Sequence, residues 1–383
     1  MESIVETPRL LYLDGLRGIA VVIVYLNHFA AAFFPAIIFG QKVLLHASWE
    51  KAFYNTPLGI ITDGNYAVYL FIAISVFVML RKTYGVKLKL RIMPLVGRYL
   101  RLMLPILAST LLAYILLRIS SGEFLTAAGL SHSSWLAVQW PLMPSIWKAL
   151  QQGLFGSIWI GAKTYNSNLW MFEYIWYGSL VAFGIGPLLR WPKIRVVFYI
   201  AGLILTFTNL FSAFFVGALL CHFQEQLRSI SKKLPGIKGL ALIFLIIGIA
   251  LGSVPSIIGD MPGYYGSLLK AITVFPFFIN ISHFVAASLT LLAIFMSPQI
   301  QNLLSRRLLV SMGRMGFSIY LLHVLLITSL ASWLLVHMTS LPYLSAICWV
   351  FIITSFAVGV VSILFYLMIE RPTERFSRWV ASR

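Results

Sequence analysis

Ten apolar runs, most of them long enough to cross a bilayer, constrain this chain more than any other feature. They lie at about 16–38, 65–81, 97–118, 169–189, 195–208, 209–223, 237–253, 270–296, 315–338 and 343–369. Spans of roughly 20 residues cross a bilayer as helices, and shorter ones need thinning or burial by neighbours. The expected fold is therefore all-α, a polytopic integral membrane bundle of about ten transmembrane helices. Composition agrees: 60% of residues are hydrophobic and 10% charged, against about a quarter charged in an ordinary soluble domain. That excludes a soluble enzyme, a disordered chain, a coiled coil and collagen.

A formal charge of +18 would suggest nucleic acid as partner in a soluble protein, but here the positions of the charges carry the meaning, and no nucleic acid is expected. The stretch 195–223 is either one tilted helix or a hairpin broken near Asn209. Arg190, Lys193 and Arg195 precede it, and Arg228, Lys232, Lys233 and Lys238 follow it. A single span would put one basic cluster outside, against the positive-inside rule. With the hairpin, Lys42, Lys51, Arg118, Lys148, Lys163 and Lys270 lie on one side, leaving 23 of the 29 basic residues on the other. Both termini are then cytoplasmic.

Residues 1–383 read as a single transmembrane domain, without internal repeat, low-complexity tract or second soluble domain. The first run begins after Arg17 and is long enough to span, so it reads as a retained helix rather than a cleaved signal. Cys221 and Cys348 are isolated, and no metal site is suggested. Segment 119–168, expected outside, holds Trp135, Trp140, Trp147 and Trp159. These fit an interfacial aromatic belt or a lid with stacking surfaces for a sugar.

Ionisable groups at membrane depth are the places to look for chemistry, because each is costly there unless used or paired. Arg17 and His28 are eleven residues apart, about 20° past three full helical turns, so they share a face and are separated by about 16.5 Å along the axis. A guanidinium at the interface can hold phosphate by paired hydrogen bonds. An imidazole near the bilayer centre can act as general base. The distance suits a long donor whose phosphates stay at the surface while its reactive end reaches inward. A snorkelling arginine and a packing histidine are the plain alternative. Arg98 and Arg101, three apart, are neighbours on one face and with Arg17 make a phosphate clamp or ordinary cytoplasmic charge.

Leu13-Asp14-Gly15-Leu16-Arg17-Gly18 followed by His28 resembles the R-x10-H signature of the acyltransferase-3 membrane family. Gly64-Asn65-Tyr66-Ala67-Val68 with Phe71 and Ser75 is similar to the family's second helix, and Arg98-Tyr99-Leu100-Arg101 to its R-x-x-R. Ser318 to His323 resembles a helix near the end, and Glu370-Arg371-Pro372 the closing E-x-P. The resemblance covers residues 10–378. Three departures stand out. Val76 follows Ser75 where glycine is usual, Glu173 falls about two residues before the expected acid, and no esterase-like domain is appended.

The resemblance implies an O-acyltransferase that takes an acyl group, expected to be acetyl, from acyl-CoA at the cytoplasmic face. The acceptor implied is a hydroxyl on a glycan or glycosylated small molecule, with a periplasmic transfer partner if the chain does not finish transfer itself. Arg17, Arg98 and Arg101 would bind the donor, and His28 would act as base or take the acyl group itself. Short tails and compact loops point to a bacterial inner membrane. Asp14 is placed to orient Arg17, and Glu370 to pair with Arg371 or a clamp arginine. His323 lies at a depth similar to His28, as a second active-site histidine or a packing group. Glu173, beside Asn168 and Trp170, is either a functional acid where the acceptor arrives or half of a buried ion pair. His283 and Asn280 are weaker candidates, and ordinary solvation suffices for His46, His132, His222 and His337. A transporter of polyisoprenyl-linked sugar or of an organic anion explains the basic cluster equally well, and a non-catalytic scaffold would tolerate loss of both Arg17 and His28.

Overall fold

The computed structural model describes residues 9–83, 92–141, 143–184, 191–234, 236–265 and 277–383. Arg190 and Lys270 of the charge map, the end of the 169–189 run and the start of the 270–296 run lie outside the described residues. Within them the chain is helical, with no strand. Hydrocarbon offers a backbone N–H or C=O no partner, so an apolar run must satisfy its own hydrogen bonds as a helix. The principal helices are α1 (Leu11–Phe33), α2 (Gly64–Thr83), α3 (Ile92–Ile119), α4 (Met171–Gly184), α5 (Pro192–Thr206), α6 (Phe211–His222), α7 (Ile237–Gly252), α8 (Phe278–Met296), α9 (Gly316–His337) and α10 (Tyr343–Ala381). Among the described residues six of these, α1, α2, α3, α8, α9 and α10, are long and apolar enough to cross a membrane.

α1 is the centre of the bundle. It packs on α2, on α9 and on two short helices, Pro298–Leu304 and Arg307–Arg314. The two glycines flanking Leu16-Arg17 make this contact possible: a Cβ on Gly15 would collide with the Leu304 carbonyl, and one on Gly18 with the Leu309 carbonyl. Across the crossing, Gly313 fits against the carbonyl of Asp14 in the same way. Backbone thus touches backbone at the level of Arg17. Gly15→Ala should therefore lower the thermal unfolding midpoint of the detergent-solubilised protein, at a cost of about 1–3 kcal/mol or more. Gly129, in the helix Glu123–Leu130 with no atom within 4 Å of its Cβ position, is the control: Gly129→Ala should hold or raise the midpoint.

Other contacts follow the same logic. Gly217 of α6 meets the Ala73 carbonyl of α2, and Gly97 of α3 meets the Ser377 carbonyl at the end of α10. Val76, where the resemblance leads one to expect glycine, is buried, and its side chain and that of Phe214 lie where a Cβ on Gly178 of α4 would point. The small residue of that contact sits on the opposite helix.

The 195–223 stretch is a hairpin. α5 ends at Thr206, α6 starts at Phe211, and the two pack together. Asn209 makes the break: its N–H donates to the Thr206 carbonyl at 2.9 Å and its side-chain oxygen accepts the N–H of Phe211 at 3.0 Å. An Asn side chain offering such a bond competes with helix continuation.

Where α1 ends, residues 34–63 and 120–141 form a cap of short helices, while residues 146–170 run beside α3, whose Tyr99 hydroxyl donates to the Leu154 carbonyl at 2.5 Å. Ser133 pins part of it to α1, because its hydroxyl donates to the Ala31 carbonyl at 2.6 Å while accepting the N–H of Leu136 at 3.1 Å.

Candidate active site

His28 and His323 meet. The Nδ1 of His28 lies 2.8 Å from the Nε2 of His323, with the rings 21° apart in plane. The partners fix the tautomers. His323 Nδ1 lies 2.9 Å from the Ile319 carbonyl, which can only accept, so this nitrogen carries the hydrogen. Nε2 of neutral His323 is then an acceptor, and His28 Nδ1–H donates to it. The lone pair of His28 is left on Nε2, the edge facing away from His323. His323 is fully buried and His28 partly exposed. The geometry is that of a base held by a second ring.

Helix periodicity brings the pair about. α1 carries Arg17 and His28 on one face. α9 carries Ser318 and His323, five residues or about 7.5 Å apart in rise. The region of α9 just before His323 is tied down from outside: Asn168 donates to the Tyr320 carbonyl, Asn166 donates to the Leu321 carbonyl at 2.7 Å, and the Tyr320 hydroxyl returns a 2.7 Å bond to the carbonyl of Asn168. Three consecutive carbonyls, 319 to 321, thus accept side-chain bonds around one histidine.

Trp135 is stacked on the His28 ring with a lateral offset, centroids 5.3 Å apart and planes 16° apart. The four tryptophans of segment 119–168 divide. Trp135 covers the histidine and Trp140 is buried with its indole N–H on the Tyr165 carbonyl. Trp147 is exposed, and Trp159 packs edge-on against Trp176 at 5.4 Å and lies 6.3 Å from Tyr99, the residue after Arg98.

At the other end of α1, Arg17, Arg98 and Arg101 act on one another electrostatically. Each has a resident partner. Asp14 bridges Arg9, at 2.5 Å, and Arg17, at 3.7 Å. Arg98 donates from Nε to the Ser179 hydroxyl at 3.2 Å, and Arg101 is paired with Glu374. Glu370, expected beside Arg371 or a clamp arginine, instead accepts the Ser318 hydroxyl at 2.5 Å, with Arg101 in electrostatic range. Pro105, one turn beyond Arg101, has no N–H for the Arg101 carbonyl.

The remaining candidates lie apart from the two histidines. The carboxylate of Glu173 lies against Gly161, near Tyr174, and among the described residues no hydrogen bond or ion pair links it to His28, His323 or the arginines. His283 is buried and bonded to Asp63 at 3.1 Å and to the Val254 carbonyl at 3.0 Å, while Asn280 donates to the Thr208 carbonyl. His46 is not simply solvated: it is stacked between Tyr343, at 4.2 Å, and His132, at 5.5 Å, above the buried Glu50. Burial and the neighbouring His132 push the His46 imidazole down to about 4, and burial raises the Glu50 carboxyl. His337 stacks on Trp333. Among the described residues no group of three or more His, Cys, Asp or Glu side chains could hold a metal ion.

Sequence reasoning missed Arg9 and Glu374 as partners of the arginine cluster, and Asn166 and Asn168 as anchors of α9. Glu374 had a signal, since it lies one turn after Glu370 on the same helix.

Residues 10–367 match a family described as an acyltransferase domain. No curated protein and no solved structure matches the chain.

Proposed function

The chain belongs to the acyltransferase-3 family, and from that premise we propose that it is a membrane O-acyltransferase moving an acetyl group from acetyl-CoA to a hydroxyl of a cell-surface or exported glycan. The observation that carries the reading is the His28–His323 contact on the helix that also bears Arg17. In the reaction, Nε2 of His28 takes the proton of the acceptor hydroxyl as its oxygen attacks the thioester carbonyl. The carbon–sulfur bond breaks, and the departing thiolate recovers the proton from the imidazolium. Ester and free thiol are the products, and the histidine is regenerated. Arg17, Arg98 and Arg101 bind the donor phosphates by charge-assisted hydrogen bonds. In the covalent variant, His28 Nε2 attacks the thioester carbonyl and expels the thiolate; the acceptor oxygen then displaces the imidazole from the acyl carbon as its proton passes to that thiolate, leaving ester, free thiol and neutral His28.

The proposed topology has ten spans, the six long helices plus α4, α5, α6 and α7, with both termini cytoplasmic in a bacterial inner membrane. α6, of 12 residues, rises only about 18 Å, so neighbours or a thinned bilayer must accommodate it. The Asn209 hairpin supports the even count. A solute transporter would use the same arginines, but it gives no reason for a bound pair of imidazoles one bilayer leaflet away from them. Glu173, at the cap end of α4, is proposed to meet the acceptor, and a periplasmic partner is required only if transfer is completed there.

The test is mass spectrometry of surface glycans and glycolipids from cells fed isotopically labelled acetyl precursor, with and without the chain. A labelled ester present only with the chain is expected. Unesterified glycan that changes in amount or location would favour the transporter instead.

A further inference from the structure

We propose that Trp135 is a positioning residue whose indole face stabilises the positive charge that His28 acquires during transfer. The inference rests on the acyl-transfer reading. Whether His28 acts as base or as nucleophile, its ring becomes cationic at the moment of reaction. Histidines in such roles commonly have a carboxylate behind them to hold that charge. Here the ring behind His28 is another neutral imidazole, and among the described residues no Asp or Glu bonds to either ring. Asp63, a buried acid at the end of the bundle where α2 begins, is committed to His283 and to the N–H of Tyr66. The hydroxyls of Tyr66 and Tyr320 are committed to Thr290 and to the carbonyl of Asn168.

What does lie against His28 is Trp135, its ring nearly parallel and its centroid 5.3 Å from that of the imidazole. A cation within about 6 Å of an indole centroid is attracted by the negative face of the ring, most strongly where water is excluded. The placement is built rather than incidental. Ser133 caps the short helix Ser134–Ala137 and simultaneously bonds to Ala31, one turn beyond His28 on α1. One residue therefore fixes both where Trp135 sits and how far it stands from the histidine. The neutral ring gains little from this arrangement and the cationic ring gains much, which is the difference that accelerates a reaction.

The experiment uses membrane vesicles carrying the full chain, with labelled acetyl-CoA as donor and alkali-labile label incorporated into endogenous acceptor as the readout. Trp135 is replaced by tryptophan carrying one, two or three ring fluorines, which withdraw charge from the indole face at almost constant shape, and by Phe and Leu. The expected result is a stepwise fall of kcat along the fluorine series with the donor KM held. Trp135→Leu should be about 3- to 30-fold down, and Trp135→Phe should lie between Leu and wild type. A flat fluorine series would reduce Trp135 to packing, and a rise in KM at constant kcat would make it a substrate platform; either overturns the proposal. If Trp135→Leu fails to accumulate, the nearly isosteric fluorine series decides alone. Full activity in His28→Ala would instead overturn the acyl-transfer mechanism, so the two failures are distinguishable.

Discussion

His28→Ala should lose acyl transfer by about 10²- to 10⁴-fold, the range typical of a removed general base, while the protein accumulates and extracts from membranes as wild type does. The partial exposure of His28 means that truncation leaves no large sealed cavity. Its hydrogen bond to His323 is then lost, and His323 Nε2 is left without its donor, which costs stability of the order of a single hydrogen bond, about 1–3 kcal/mol. The loss should fall on kcat, because the ring acts on the proton of the acceptor and not on the donor phosphates. His323→Ala removes the acceptor that holds the His28 tautomer, and the expected loss is smaller. Incorporation of labelled acetyl from a fixed acetyl-CoA concentration measures both. If His28→Ala transfers at the wild-type rate, the proton passes elsewhere.

Arg98→Ala should weaken donor binding by about 10- to 100-fold, matching the 1.5–3 kcal/mol typical of hydrogen bonds to charged groups, with little change in the single-turnover rate at saturating donor. The three arginines are not equivalent in the unliganded protein. Arg17 shares Asp14 with Arg9, and Arg101 is paired with Glu374, so an arriving anion must compete with a carboxylate at both. Among the described residues Arg98 holds a neutral hydroxyl, Ser179, and no carboxylate. Its charge is the one most available to phosphate, and Arg101→Ala should accordingly lose less affinity than Arg98→Ala. Equilibrium binding of acetyl-CoA to detergent-solubilised protein separates these outcomes. A loss confined to the single-turnover rate would remove Arg98 from the donor site.

The parts of the site that lie on regular helices were legible in the sequence. Eleven residues between Arg17 and His28 fix both their shared face and their separation, and the depth of His323 follows from the apolar run that contains it. The Asn209 break was legible because charge on both flanks demanded it. Contacts made by irregular segments were not. Nothing periodic in 119–168 distinguishes Trp135 from Trp147, because the choice depends on Ser133 reaching the Ala31 carbonyl. Glu374 escaped because its partner Arg101 is brought to it only when the end of α10 packs on α3, and Arg9 because its bond to Asp14 depends on how the chain enters α1. Gly15 and Gly18 were read as motif letters. Their physical content, contact with the carbonyls of Leu304 and Leu309, needs the neighbouring helices. The helix count was harder to read than the helix type, since α4 to α7 are apolar but short.

The bond from His323 Nδ1 to the Ile319 carbonyl has a consequence for proton traffic. A peptide carbonyl has no hydrogen to pass on and no basicity with which to retain one, so the line from acceptor hydroxyl through His28 to His323 is a cul-de-sac. A proton taken up at the open edge of His28 must leave by that same edge. Each turnover would then be closed with respect to protons, the hydrogen lost by the alcohol returning to the thiol, and an imposed pH gradient across the membrane should neither drive nor brake the chemical step.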